Sequence, residues 1–108
     1  MATEPSLDLA GLRRLLSEGR FEWSKHALQR MAKRNIAQAD VLDALLSGER
    51  IEDYPRDKPY PSALFLGWVR ERVIHVVAAL DAANDWAYVI TTYEPGLDHF
   101  GPDFRTRR

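Results

Sequence analysis

Hydrophobic positions along the chain follow two regimes, with the change near residue 48. Leu7, Leu9, Leu12, Leu15 and Leu16 recur at roughly helical spacing, which predicts a helix over about 7–17 with Gly19 as its stop. Residues 20–23, Arg-Phe-Glu-Trp, read as a short strand, because the two aromatics sit two apart and share a face. Ser24 is a natural N-cap, since its hydroxyl can accept from an otherwise unpaired helix N–H. A helix over 25–34 then puts Ala27, Leu28 and Met31 on one side, and Asn35 suits a left-handed exit. Another helix is predicted over 38–47, with Val41, Leu42, Leu45 and Leu46 inward and Gly48 as stop. Ala37 is a poor cap for it.

After Gly48 the pattern turns to strands. Residues 50–54 alternate, and Pro55, Pro59 and Pro61 make 55–61 a loop, because proline cannot donate to a ladder. Three β-rich runs follow at 62–69, 73–80 and 86–93. Their links, 70–72 and 81–85, are short and polar, which favours antiparallel hairpins over crossovers. Residues 1–6 read as a loose lead, and the segment from Glu94 carries Pro95, Gly96, Gly101 and Pro102. The expected fold is α+β: two or three N-terminal helices packed on a curved antiparallel β-meander of three to four strands. One sheet face is then left free to hold a site.

Composition narrows the class. A length of 108 residues fits one domain, and 45% hydrophobic residues suffice for one core. Fifteen basic against 16 acidic side chains give a net charge of −1, which excludes a uniformly basic coat but not a local basic patch. The absence of cysteine excludes disulfides, a thiolate zinc site and a cysteine nucleophile. The longest apolar run, 73–80, is broken by His75 and is too short to span a bilayer. The first residues lack the basic start and apolar stretch of a secretory signal, so the expected location is cytoplasmic, with no membrane association.

The strongest local pattern is His26-x3-Arg30-x2-Lys33-Arg34, whose offsets set the four on one helical stripe. Residues 20–34 hold five basic and one acidic residue, a local charge of 5 − 1 = +4. Such a stripe attracts phosphate and offers planar guanidinium forks to bind it; the plainer reading is a solvated helix face. His26 falls at the second position of its helix. There the dipole disfavours imidazolium and leaves a ring able to accept a proton, unless it merely packs at the helix start. His75 interrupts an aliphatic strand and shares a face with Val73, Val77 and Ala79, either as a satisfied core histidine or as the lining of a cleft. Tyr93 ends the last strand, placed to donate to a phosphate or to pack at an edge. Asp53 and Tyr54 precede the proline loop, and turn chemistry explains them adequately. His26, His75 and His99 show no metal-ligand spacing, and no glycine-rich phosphate loop is present, so neither metal nor cofactor is expected.

Residues 23–34, Trp-Ser-Lys-His-Ala-Leu-Gln-Arg-Met-Ala-Lys-Arg, resemble the opening motif of a small prokaryotic family, domain of unknown function 4258. Gly48-Glu49 followed by Ile51-Glu52-Asp53-Tyr54-Pro55 fits the same pattern, as do Leu66-Gly67-Trp68, His75-Val76-Val77 and Ile90-Thr91-Thr92-Tyr93-Glu94-Pro95. The resemblance covers about residues 21–108, which makes 1–19 an N-terminal extension with a helix and 20–108 a single domain. That family in turn resembles the RelE-like toxins of toxin–antitoxin pairs. The resemblance implies a metal-independent endoribonuclease acting on mRNA, with a zinc-ribbon or other small antitoxin partner. His26 or His75 would take the proton from a ribose 2′-hydroxyl, and Arg30 would offset charge on the phosphoryl oxygens. Tyr93 or the second histidine would protonate the leaving oxygen, with Lys25, Lys33 and Arg34 holding RNA. The alternative is a non-catalytic protein- or RNA-binding module, favoured by the near-neutral charge and by the exposed-looking Trp23, Tyr54, Tyr60 and Trp68. A weaker third reading is a small-molecule enzyme using a His/Arg cleft. An edge strand would serve a homodimer.

Overall fold

Ser24 shows how local chemistry sets the frame. Its hydroxyl accepts from the Ala27 N–H at 3.0 Å and donates to the Ile90 carbonyl at 2.6 Å, so one side chain both starts a helix and ties it to a strand. A computed structural model describes residues 6–96 and 100–107; His99 and most of the lead lie outside the described residues. The elements are α1 (Leu9–Ser17), β1 (Phe21–Trp23), α2 (Lys25–Arg34), α3 (Gln38–Ser47), β2 (Glu49–Tyr54), β3 (Ser62–Val69), β4 (Arg72–Asp81) and β5 (Trp86–Tyr93). A single 3-10 turn, Ala82–Asn84, joins β4 to β5. Asn35 closes α2 in the left-handed region as expected, with φ of 54°. Ala37 begins α3 without a side-chain cap.

The architecture is α+β, but the sheet is larger than the meander expected from sequence. Five strands lie in the order β1-β5-β4-β3-β2. The meander from β2 to β5 is antiparallel, whereas β1 joins the edge parallel to β5, pairing Phe21 with Ala87 and Trp23 with Val89. The physical reason is the connection. Short polar links force antiparallel neighbours, while two helices and three strands separate β1 from β5, room enough for a parallel return. The β3–β4 hairpin turns on Arg70 and Glu71, both at positive φ, the twist that two-residue hairpins favour.

The three helices cover one sheet face. Phe65, Val76 and Val89 on the strands meet Leu12 of α1, Met31 of α2 and Leu45 of α3 in one apolar cluster. Ala44 of α3 sits directly on Gly67 of β3, where any Cβ would overlap it. The opposite face was expected to be free. Instead, residues 100–107 lie over part of it, bringing Phe100 against His75 and Phe104 against Trp68. Leu64 and Leu66, on that same face, are buried. Among the described residues no helix is long and apolar enough to cross a membrane.

Candidate functional site

The predicted site residues separate into two groups on opposite sides of the sheet. The first stands on α2. Ala27 and Met31 are buried toward the sheet, which turns the stripe at positions 26, 30 and 33 outward. His26, Gln29, Arg30 and Lys33 line an open hollow of about 210 Å³. No acidic residue occurs in α2, and among the described residues no carboxylate pairs with Lys25, Arg30 or Lys33. Elsewhere the arginines are engaged: Arg14 by Glu18, Arg70 by Asp40, Arg105 by Glu49 and Arg107 by Glu52. Gln29 was missed from sequence; its place one turn before Lys33 was the available signal.

Arg34 ends the same helix but faces different neighbours. The Arg72 guanidinium donates to the Arg34 and Asn35 carbonyls at 2.6 and 2.9 Å, a cation on a helix C-terminus, where the dipole favours it. Arg72 also pairs with Glu94 at 3.1 Å and, followed more weakly by the charge of Arg34, holds that carboxyl below its usual range. Arg72 therefore fixes the end of α2 against β4 and the chain leaving β5.

The second group is His75 and Tyr93, directly paired across β4 and β5. Strand alternation points Ile74 and Val76 at the helices and His75 away from them. His75 is fully buried. Its Nε2 lies 2.6 Å from the Phe104 carbonyl, which can only accept, so Nε2 carries the proton. Its Nδ1 is left to accept from the Tyr93 hydroxyl at 3.3 Å. Burial lowers the pKa of His75 from 6.5, against the carbonyl contact that raises it, so the ring is held neutral. Burial likewise raises Tyr93. Arg107, Glu52 and Tyr54 close the rim of this group: Arg107 donates to Glu52 at 2.7 Å, and Tyr54 to Glu52 at 3.0 Å.

The structure thus brings His26 together with Arg30 and Lys33, and His75 together with Tyr93, but does not bring the two histidines into one hollow. His75 in this arrangement does what a satisfied core histidine does, fastening residues 100–107 to the sheet. The set of exposed aromatics also contracts: Trp68 is 64% exposed, whereas Trp23, Tyr54 and Tyr60 are half-buried. Among the described residues no group of three or more His, Cys, Asp or Glu is placed to hold a metal ion.

Fold and geometry together define a small α+β domain that presents an unneutralised basic helix on one side and a strapped histidine–tyrosine pair on the other. Over residues 23–94 the chain matches the family described as Domain of unknown function (DUF4258), and it belongs to that family. α1 lies outside the matched span. No curated protein and no solved structure matches the chain significantly.

Proposed function

We propose that the chain binds single-stranded RNA through the outward face of α2. The observation that carries this reading is the absence of any carboxylate partner, among the described residues, for Lys25, Arg30 and Lys33, in a protein whose other arginines are mostly engaged. A cation that the fold leaves unneutralised retains its full attraction for phosphate, and three within one helix follow a backbone better than a single ion. Arg30 supplies a planar fork, Lys33 and Lys25 supply point charges, and Gln29 supplies an amide beside them. Near-neutral overall charge is no obstacle, because binding depends on the local field.

The endoribonuclease reading extends this one. The imidazole of His26 shares the hollow with Arg30 and Lys33, so a phosphate held there would bring a ribose 2′-hydroxyl near a ring that can accept its proton. In that scheme His75 and Tyr93 take no part while residues 100–107 cover them. A small antitoxin would act by neutralising the face of α2.

Binding is tested by anisotropy of a labelled single-stranded oligoribonucleotide across a salt series. Each phosphate contact contributes about 0.7 to the slope of log affinity against log salt. The Arg30→Ala, Lys33→Ala double variant should therefore bind more weakly and lose roughly 1.4 from that slope. No binding by the wild type at low salt, or an unchanged slope in the variant, removes the reading. Incubation of the same RNA in EDTA decides on turnover: cleavage abolished by His26→Ala supports the ribonuclease, and intact RNA leaves a binding module.

A further inference from the structure

Another hollow lies on the sheet face away from the helices. Asp57, Lys58, Pro59, Tyr60, Ala79, Tyr88 and Ile90 surround about 320 Å³, within the range of small-ligand sites. Its wall is a pair of tyrosines. The rings of Tyr60 and Tyr88 are parallel within 6° with centroids 5.4 Å apart, an offset stack. The stack is pinned from below. Asp81 lies beside the Tyr60 hydroxyl and, with Tyr88, raises its pKa. Asp81 is itself fixed by the Asn84 backbone N–H at 3.2 Å and the Asn84 side-chain amide at 2.8 Å. Rings held in this way lose little freedom when a third ring is laid on them.

At the rim, one oxygen of Asp57 (Oδ2) accepts from the Ser62 hydroxyl at 2.6 Å. The other, Oδ1, is left to accept from a ligand. A carboxylate there selects a donor, and Lys58 on the same rim offers a cation to an acceptor beside it. A flat ring bearing an N–H donor beside a carbonyl or ring nitrogen fits both halves of the site, the aromatic wall and the Asp57–Lys58 rim. Cytosine, adenine and guanine carry an exocyclic amino group with two N–H donors, whereas uracil offers only a ring N–H set between two carbonyls that a carboxylate repels.

Ile90 connects this hollow to α2. It lines the hollow, and its carbonyl accepts from Ser24, two residues before His26. It is also the extra residue where the β4–β5 register shifts, between the Ala78–Val89 and Val77–Thr91 pairs. The parallel cover of β1 stops at Val89, so the edge of β5 beyond that point is bordered by the start of α2 rather than by a strand. A nucleic-acid strand would pass from the basic hollow to the tyrosines around this edge of β5.

We infer that the Tyr60–Tyr88 hollow takes one unpaired, amino-bearing nucleobase of the strand whose backbone lies on α2. This rests on the RNA reading above and adds base selection to it. Stacking supplies affinity of a kind that salt does not screen, while Asp57 discriminates against uracil.

The test uses the full chain with labelled oligo-rC and oligo-rU of equal length at several salt concentrations. The wild type should bind oligo-rC about tenfold more tightly, and Asp57→Asn should erase that preference. Tyr88→Leu should weaken oligo-rC by about five- to a hundredfold without changing the salt slope, because it removes stacking and no phosphate contact. Salt-dependent binding with no preference for rC in the wild type, or with Tyr88→Leu equal to wild type, overturns the base site while the α2 reading stands. Where the wild type binds neither RNA, the α2 reading falls. The hollow is then judged by titrating cytidine against the Tyr60 and Tyr88 ring signals of the wild type: shifts of those rings sustain the base site, and their absence overturns it.

Discussion

His75 shows what a single polar residue contributes when it is placed in a sheet. Alternation along residues 73–80 put it on the face away from Ile74 and Val76, and that much was readable in the sequence. Its partners were not, since Phe104 is 29 residues away and Tyr93 is 18 away. The neutral ring gives the fold a defined pH response. Above the unfolded value of about 6.5 both folded and unfolded chains carry a neutral imidazole. Below it the unfolded chain binds a proton that the buried ring resists, so the unfolded state gains and stability falls. The urea midpoint should therefore drop between pH 7.5 and 5. His75→Gln, which keeps an amide for the Phe104 carbonyl but cannot titrate, should show a smaller drop. Equal drops in the two proteins would place the acid sensitivity elsewhere.

At the level of elements, most boundaries were legible. Residues 25–34, 38–47, 62–69 and 86–93 are the observed α2, α3, β3 and β5, because cap residues, prolines and apolar spacing all act locally. What spacing did not show is how closely two elements meet. Gly67 lies inside the β-rich run 62–69, and it is where α3 comes down on β3. With Ala44 in that contact, a larger residue has no space. Gly67→Val should cost about 1–3 kcal/mol through displacement of α3, an overpacking penalty despite the better strand propensity of valine. Chemical denaturation checks it, and a stabilised variant would mean that α3 can move aside freely. The parallel seat of β1 was hidden for a related reason. A three-residue strand carries too little pattern to state its partner, and the paired residues lie 87 − 21 = 66 positions further on, beyond every local signal (Trp86 also donates to Glu22 at 2.9 Å).

Across the whole molecule, α1 appeared from the resemblance to be an addition, and it lies outside the family's matched span. It nevertheless contributes Leu12, Leu15 and Leu16 to the same apolar cluster as α2, α3 and the sheet. Leu12 is fully buried. Leu12→Ala should therefore cost about 2–5 kcal/mol, the usual range for a buried leucine. The loss should appear in a single transition, with far- and near-ultraviolet circular dichroism melting together. Separate melts would make α1 an independent appendage. The amino-acid sequence on its own determined the helices-then-strands order, most of the inward positions (Leu28, expected inward on α2, is exposed), the caps of α2 and the basic stripe at 26, 30 and 33, because each follows from residues within a few positions of one another. Only the tertiary structure decided that His26 and His75 stand on opposite sides of the sheet, that residues 100–107 strap one face, and that Tyr60 meets Tyr88. Those outcomes depend on strand register and long-range closure, where the contacting side chains are separated by many residues and only the packed core sets which ones meet.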